Sequence, residues 1–156
     1  MLYNLLKFVH VLSIIVWIGG MVYTLFFLRP SLTPLAPAQR VQLMHDVLGR
    51  FFKAVLYVST LALFSGLWMI GRVAKQTVQA GGSFAWPTSW LVMTVLGVVM
   101  ILIFGHIRFA LFKRLQRAVT ASDWPAGGAA LEQIRTWVGI NLAIGVVIIA
   151  AVFLLR

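Results

Sequence analysis

The sequence predicts an all-α integral membrane protein, a four-helix bundle formed by a single domain over residues 1–156. Of these residues, 62% are hydrophobic and only 10% are charged, whereas a typical soluble domain carries about 25% charged residues. Four apolar stretches are each of about the 20 residues that a helix needs to cross the hydrocarbon core of a bilayer. The predicted membrane spans are residues 5–28, 51–70, 90–110 and 137–155.

The first span begins near the N-terminus, where Lys7 precedes the apolar run. A cleaved signal peptide has a shorter apolar core that is followed by a cleavage site of small residues. Neither feature is present here. We therefore expect this run to be retained as the first transmembrane helix.

Three connections separate the spans. The first has three prolines between residues 30 and 37, which predict a helix stop and a stiff, extended turn. The second, residues 72–90, is polar and contains glycines, and its Trp86 and Trp90 suit the aromatic belt of the outer interface. In the third, residues 108–119 continue the third helix beyond the membrane, against anionic lipid. Residues 121–128 then break that helix, with Asp123 and Pro125 as turn residues.

The basic residues distinguish the two sides of the predicted bundle. Nine of the 13 flank the first and third connections, and four lie on the opposite side. Because cytoplasmic loops are enriched in Lys and Arg, we predict that both termini are periplasmic in a multi-pass protein of the bacterial inner membrane. The net charge of +10 therefore indicates topology and headgroup contacts, and we expect no nucleic-acid partner.

Composition also excludes several kinds of active site. The three acidic residues all lie in predicted cytoplasmic segments, so no pair of carboxylates lies within the membrane for acid–base hydrolysis. The chain has no cysteine, which excludes disulfides and thiolate metal sites. No phosphate-binding glycine loop or nucleophile elbow is present. The sequence leaves open whether the protein is an enzyme.

Small residues predict where the helices touch, because they let two backbones approach closely. The candidate positions are the pairs Ala62/Gly66 and Gly139/Ala143, the Gly19-Gly20 pair, Gly97 and Gly105.

The stretch FVHVLSIIVWIGGMVY places a histidine within the first apolar span. His10, Ser13 and Trp17 follow the spacing of one helix face, while the other faces are apolar. His10 is therefore predicted to point into the bundle. A buried imidazole there can bind haem iron or copper, relay protons, or make a structural hydrogen bond. All these roles stay open, and we favour contact with haem or a metal.

A second histidine, His106, lies late in the third span, whereas His10 lies early in the first. Since both spans run in the same direction, their depths differ by roughly 15 Å at 1.5 Å per residue. The axial nitrogens of one haem lie only about 4 Å apart, twice the metal–nitrogen bond length. Met93 lies at the depth of His10, and a His/Met pair suits haem iron or Cu(I).

Polar and basic side chains are predicted to gather at the inner end, around His106. Such a cluster suits haem propionates, anionic headgroups or a second set of ligands. Its predicted members are Tyr23, His45, Arg50, Lys53 and Asn141.

Over nearly the whole chain, the sequence resembles the CopD-like (copper resistance D) family of integral membrane proteins. The resemblance rests on the order and spacing of KFVHVLSIIVWIGGMVY, LRPSL, GRFFKAVLYVSTLALFSGLWMI, FGHIRFALFKRL and IRTWVGINLAIG. It implies a role in copper resistance or uptake across the inner membrane. A more distant resemblance to HemJ-type protoporphyrinogen oxidases, four-helix haem proteins, implies a membrane oxidoreductase instead. This resemblance implies that His10 and His106 are the positions that correspond to the functional histidines.

We therefore predict a metal centre within the bundle, either haem b, which we prefer, or copper. The expected function is copper handling or membrane electron transfer, and the alternative is a HemJ-type oxidoreductase. The expected partners are the lipid bilayer and the haem or copper ion, and a homo-oligomer is left open. The predicted metal ligands are His10 and His106, and the further cofactor contacts are Met93, Trp17, Arg50 and Lys53.

Overall fold

The structure is a computed structural model that describes residues 1–154, and within this range the regular elements are all helices. Each of the four helices is long and apolar enough to cross a membrane. This confirms the prediction of an all-α protein with four membrane spans. The predicted fourth span ends at residue 155, which lies outside the described residues. The helices are α1 (Leu2–Ser31), α2 (Pro37–Gln79), α3 (Thr88–Thr120) and α4 (Trp124–Leu154).

The helices extend well beyond the predicted spans. At 43 residues, α2 is about 65 Å long, roughly twice the thickness of the hydrocarbon core. The second predicted connection begins at residue 72, whereas α2 continues to Gln79, because no proline or glycine lies between residue 72 and Gly81. Gly81 has a φ of +82°, in the left-handed region that glycine adopts without strain. The irregular segment is confined to residues 80–87.

The turn between α3 and α4 is also shorter than the predicted break over residues 121–128. The carboxylate of Asp123 accepts a hydrogen bond from the backbone N–H of Ala126 at 3.0 Å, as the N-cap residue of a helix does. Pro125 follows in the first turn, where its missing N–H removes no helical hydrogen bond. These two residues, which we interpreted as turn residues, start α4.

The helices pack as two hairpins placed side by side. α1 packs along α2, α3 packs along α4, and α4 also contacts α1 and α2. α1 and α4 run antiparallel, since Arg29 pairs with Glu132 at one end and Ile18 lies against Gly145 further along. We call the end with the α1–α2 and α3–α4 connections the basic end. The opposite end holds residues 80–87 and the start of α1.

Aromatic rings link three of the helices through the centre of the bundle. Trp17 of α1 is 3% exposed and meets Phe104 of α3 edge to face, with ring centroids 6.0 Å apart. Phe104 contacts Phe52 of α2 in the same way, and Phe52 contacts Phe112 near the basic end. These edge-to-face contacts fix the relative depths of the helices.

Only some of the predicted small-residue contacts form. A Cβ on Gly20 would overlap the ring of Phe51, and one on Gly66 would lie 3.1 Å from His10. The predicted contact at Gly139/Ala143 is wrong, because Gly139 has no neighbour within reach of a Cβ among residues 1–154 and Ala143 is exposed. The same open space surrounds the remaining candidate glycines, Gly19, Gly97 and Gly105.

Candidate functional site

The most distinctive polar contact within the apolar part of the bundle involves His10. Its imidazole is half-buried on α1 and faces α2. Nδ1 lies 2.8 Å from the backbone carbonyl oxygen of Ala62 and 3.2 Å from Oγ of Ser65. A carbonyl oxygen can only accept a hydrogen bond, so Nδ1 carries the hydrogen. The Ser65 hydroxyl donates to the carbonyl of Leu61 and is therefore free to accept from His10.

The sequence of α2 makes room for this ring. Gly66 follows Ser65 directly, and a Cβ there would lie 3.1 Å from Cε1 of His10 and 3.4 Å from Nδ1. Ala62 precedes Gly66 by one helical turn, so its carbonyl also accepts the helical hydrogen bond and uses its second lone pair for His10. A small residue and a backbone acceptor on the same face thus receive the imidazole.

The other ring nitrogen has a different environment. When the imidazole is neutral and Nδ1 carries the hydrogen, Nε2 holds the lone pair. Nε2 makes no hydrogen bond to the part of the chain that the structure describes. Histidines that ligate metals commonly donate their second ring N–H to a backbone carbonyl, which fixes the tautomer and the ring orientation. His10 can therefore present Nε2 to a metal ion or accept a proton there.

Met93 lies at nearly the same depth as His10. Gly145 of α4 lies against both Ile18 of α1 and Met100 of α3, so these two side chains share a level. Met93 lies seven residues before Met100 on α3, and His10 lies eight residues before Ile18 on α1. In both helices this direction leads away from the basic end. At 1.5 Å per residue, their depths differ by only about 1.5 Å. The half-buried thioether of Met93 thus has the depth that the sequence predicts.

The structure separates His106 from His10. His106 is exposed and packs edge-on against Trp137, with centroids 5.2 Å apart. Trp17 and Phe104 are in contact and therefore lie at about the same depth. His10 lies seven residues from Trp17 toward the opposite end. His106 lies two residues from Phe104 toward the basic end. The two histidines therefore differ in depth by about 13 Å, too far to ligate one metal.

The other predicted site residues also lie away from His10. Trp17 is two helical turns nearer the basic end and belongs to the aromatic core. Arg50 and Lys53 are exposed on α2. Asn141 is 1% exposed, and its Oδ1 has no partner among residues 1–154. The structure joins none of these side chains to His106 by a hydrogen bond within the described range.

The sequence did not identify the partners of His10. Ala62 and Gly66 were interpreted as packing residues, and Ser65 was not singled out. The available signal was Ser65 next to Gly66 in an apolar span. The hydroxyl offers a hydrogen-bond acceptor, and the glycine leaves space for the imidazole ring. Among the residues that the structure describes, no three His, Cys, Asp or Glu side chains lie together in a way that could hold a metal ion. A metal at His10 would therefore need donors of another kind.

Comparison with known protein families identifies a match over most of the chain. The family described as CopD, copper resistance protein D, matches residues 45–155. This segment covers α2 from residue 45 onward, α3 and the described part of α4, whereas His10 lies before it. No curated protein matches, and no solved structure matches. Since the match covers more than half of the chain, this membrane protein belongs to the copper resistance protein D family.

Proposed function

We propose that this protein handles copper within the membrane, with copper as its cargo and His10 as a residue that contacts it through Nε2. The family's association with copper resistance supports the choice of copper. The hydrogen bond from Nδ1 of His10 to the Ala62 carbonyl supports the choice of residue. It orients the ring and leaves the lone pair on Nε2.

The available donors fit Cu(I) better than Cu(II). Thioether ligands select Cu(I), and imidazole also binds copper, whereas Cu(II) favours tetragonal sets of nitrogen and oxygen ligands. His10 and Met93 offer one imidazole and one thioether at nearly the same depth. A site with two protein donors binds an ion more weakly than a closed cage of four ligands. A weak site suits an ion that is passed onward rather than stored.

Haem b, which we preferred from the sequence, has less support than copper. The depth difference between His10 and His106 disfavours a haem held by both residues. A haem held by His10 with Met93 stays a prediction. The HemJ-type alternative also stays a prediction, because the comparisons add nothing to it.

Copper binding by the purified full-length protein tests this proposal. The protein would be prepared in detergent under reducing conditions, titrated with Cu(I), and its bound copper measured by atomic spectroscopy. We expect His10→Ala to weaken copper binding about tenfold, which corresponds to about 1.4 kcal/mol. Met93→Leu, which keeps a similar volume but removes the thioether, should also weaken it.

His106→Ala is the matched control, because it removes an imidazole at a different depth and should leave copper binding unchanged. Circular dichroism and size-exclusion chromatography would confirm that each variant is folded and monodisperse. Unchanged copper binding in His10→Ala would contradict the proposal, as would an equal loss in His106→Ala. A Soret band in the wild type that His10→Ala abolishes would identify haem as the partner instead.

A further inference from the structure

A cavity of about 600 Å³ opens at the basic end of the bundle, far from His10. Its walls come from the last turns of α1, the α1–α2 connection, the start of α2 and the start of α4. The deeper part is apolar and includes Leu25, Leu48 and Val138. The mouth is polar and charged. It holds three arginines and one glutamate, which are Arg29, Arg40, Arg135 and Glu132.

The charges at the mouth do not cancel. Glu132 is the one acidic side chain that lines the cavity, and it pairs with Arg29 and, at 3.6 Å, with Arg135. Arg40 donates to three backbone carbonyls of the α1–α2 connection, so it holds the loop that forms one wall. Three arginines against one glutamate leave an excess of two positive charges. The mouth is therefore complementary to an anion.

Arg29 has a donor left over. Its Nη2 donates to Glu132, whereas Nη1 is buried and has no partner within the described residues. A buried charged donor without an acceptor is energetically unfavourable, and Arg29 lines the cavity. The described part of the protein therefore leaves one hydrogen-bond donor of this cavity-lining arginine without a partner.

We infer that this cavity binds an anionic phospholipid from the leaflet at the basic end, with its phosphate at Arg29 and its apolar part against the deeper wall. Guanidinium groups bind phosphate oxygens through charge-assisted hydrogen bonds. The mouth lies at the helix ends, where basic residues meet headgroups. A free phosphate would use the charge but not the apolar wall, and a zwitterionic lipid would not match the excess positive charge. This binding is independent of copper handling.

The test uses the full-length protein in a neutral detergent, with phosphatidylglycerol as the anionic probe. Phosphatidylcholine and glycerol phosphate are the comparison ligands. Apparent affinity would be measured from the rise in the midpoint of thermal unfolding, and the number of bound lipids from native mass spectrometry. We expect one tightly bound phosphatidylglycerol and at least tenfold weaker binding of the other two ligands.

Two variants test the location of the lipid. Arg29→Gln removes the unpaired donor and should weaken phosphatidylglycerol binding about tenfold. Gly128→Leu keeps every charge but fills the cavity, because Gly128 lines it and a Cβ there meets nothing within 4 Å. Gly128→Leu should weaken phosphatidylglycerol binding at least as strongly as Arg29→Gln. It still tests the location of the lipid if Arg29→Gln fails to fold.

Matched controls change the same residue types outside the cavity. Arg117→Gln removes a positive charge from α3 at the basic end, and Gly139→Leu adds a side chain in open space on α4. Both should keep wild-type affinity. Wild-type affinity in Gly128→Leu, or an equal loss in Arg117→Gln, would overturn the inference. Equal stabilisation by glycerol phosphate would also overturn it, because the ligand would then be a free anion.

Discussion

Nδ1 of His10 and the carbonyl oxygen of Ala62 lie 2.8 Å apart, although the two residues are 52 positions apart in the chain. The contact joins α1 to α2 in the apolar part of the bundle, where a polar group without a partner would cost a few kcal/mol. It also fixes which nitrogen of the ring is available to a ligand. One hydrogen bond thus serves the packing of the bundle and the proposed contact with copper.

Gly66→Ala should disturb His10 directly. The new Cβ would lie 3.1 Å from Cε1 of a ring that two hydrogen bonds hold in place, so the ring must shift by a few tenths of an ångström, which strains its hydrogen bond to the Ala62 carbonyl. Relative to a Gly→Ala change in open space on the same helix, which has the same gain in helix propensity, we expect a loss of about 1 kcal/mol of stability, the typical net worth of a hydrogen bond, and weaker copper binding. Unfolding midpoints and copper titrations would measure both effects.

Gly71→Ala is the control for this substitution, since a Cβ at Gly71 meets nothing within 4 Å. It should leave copper binding unchanged and, through higher helix propensity, stability unchanged or slightly raised. If Gly66→Ala behaved like Gly71→Ala in both measurements, the contact with His10 would not matter.

Gly20→Ala should destabilise the bundle by about 1–3 kcal/mol, the usual cost of overpacking, because its Cβ would overlap the ring of Phe51. Gly19→Ala should cost little, since its Cβ enters open space. The double variant Gly20→Ala with Phe51→Leu should recover part of the loss. A double-mutant cycle would compare the unfolding midpoints of the wild type, Gly20→Ala, Phe51→Leu and the double variant. A coupling energy of zero between the two substitutions would refute the predicted clash.

Asn141→Leu should leave stability unchanged or raise it. Asn141 is 1% exposed and its Oδ1 has no partner among the described residues, and such an atom costs roughly 1–3 kcal/mol. Leucine has a similar size and removes that cost. A marked fall in the unfolding midpoint would show that the amide has a partner, such as an ordered water molecule. Asn4→Leu, at an exposed position near the start of α1, is the control.

The orientation of the bundle in the membrane is a separate prediction. Nine Lys and Arg residues flank the first and third connections and four lie on the other side, so we expect both termini to be periplasmic. A reporter that is active only outside the cytoplasm should be active when fused after residue 156 or inserted within residues 80–87. The same reporter inserted at residue 122 should be inactive, and the reverse pattern would invert the topology.

The sequence was sufficient to predict the four helices. Apolar runs of about 20 residues with almost no charge have one stable form in a bilayer, because a helix satisfies its own backbone hydrogen bonds there. Their ends were less predictable. The same residues, Asp123 and Pro125, suit a turn or the first turn of a helix, and only the folded chain distinguishes these outcomes.

The sequence by itself also determined that His10 lies in an apolar span, on the helix face that carries Ser13 and Trp17. These properties follow from the 3.6-residue repeat and need no knowledge of neighbouring helices. The partner of His10 was decided only by the tertiary structure. Which carbonyl of α2 receives Nδ1 depends on how α1 and α2 slide and rotate against each other. That register is set by contacts such as Phe51 against Gly20 and His10 against Gly66, which bring together residues far apart in sequence.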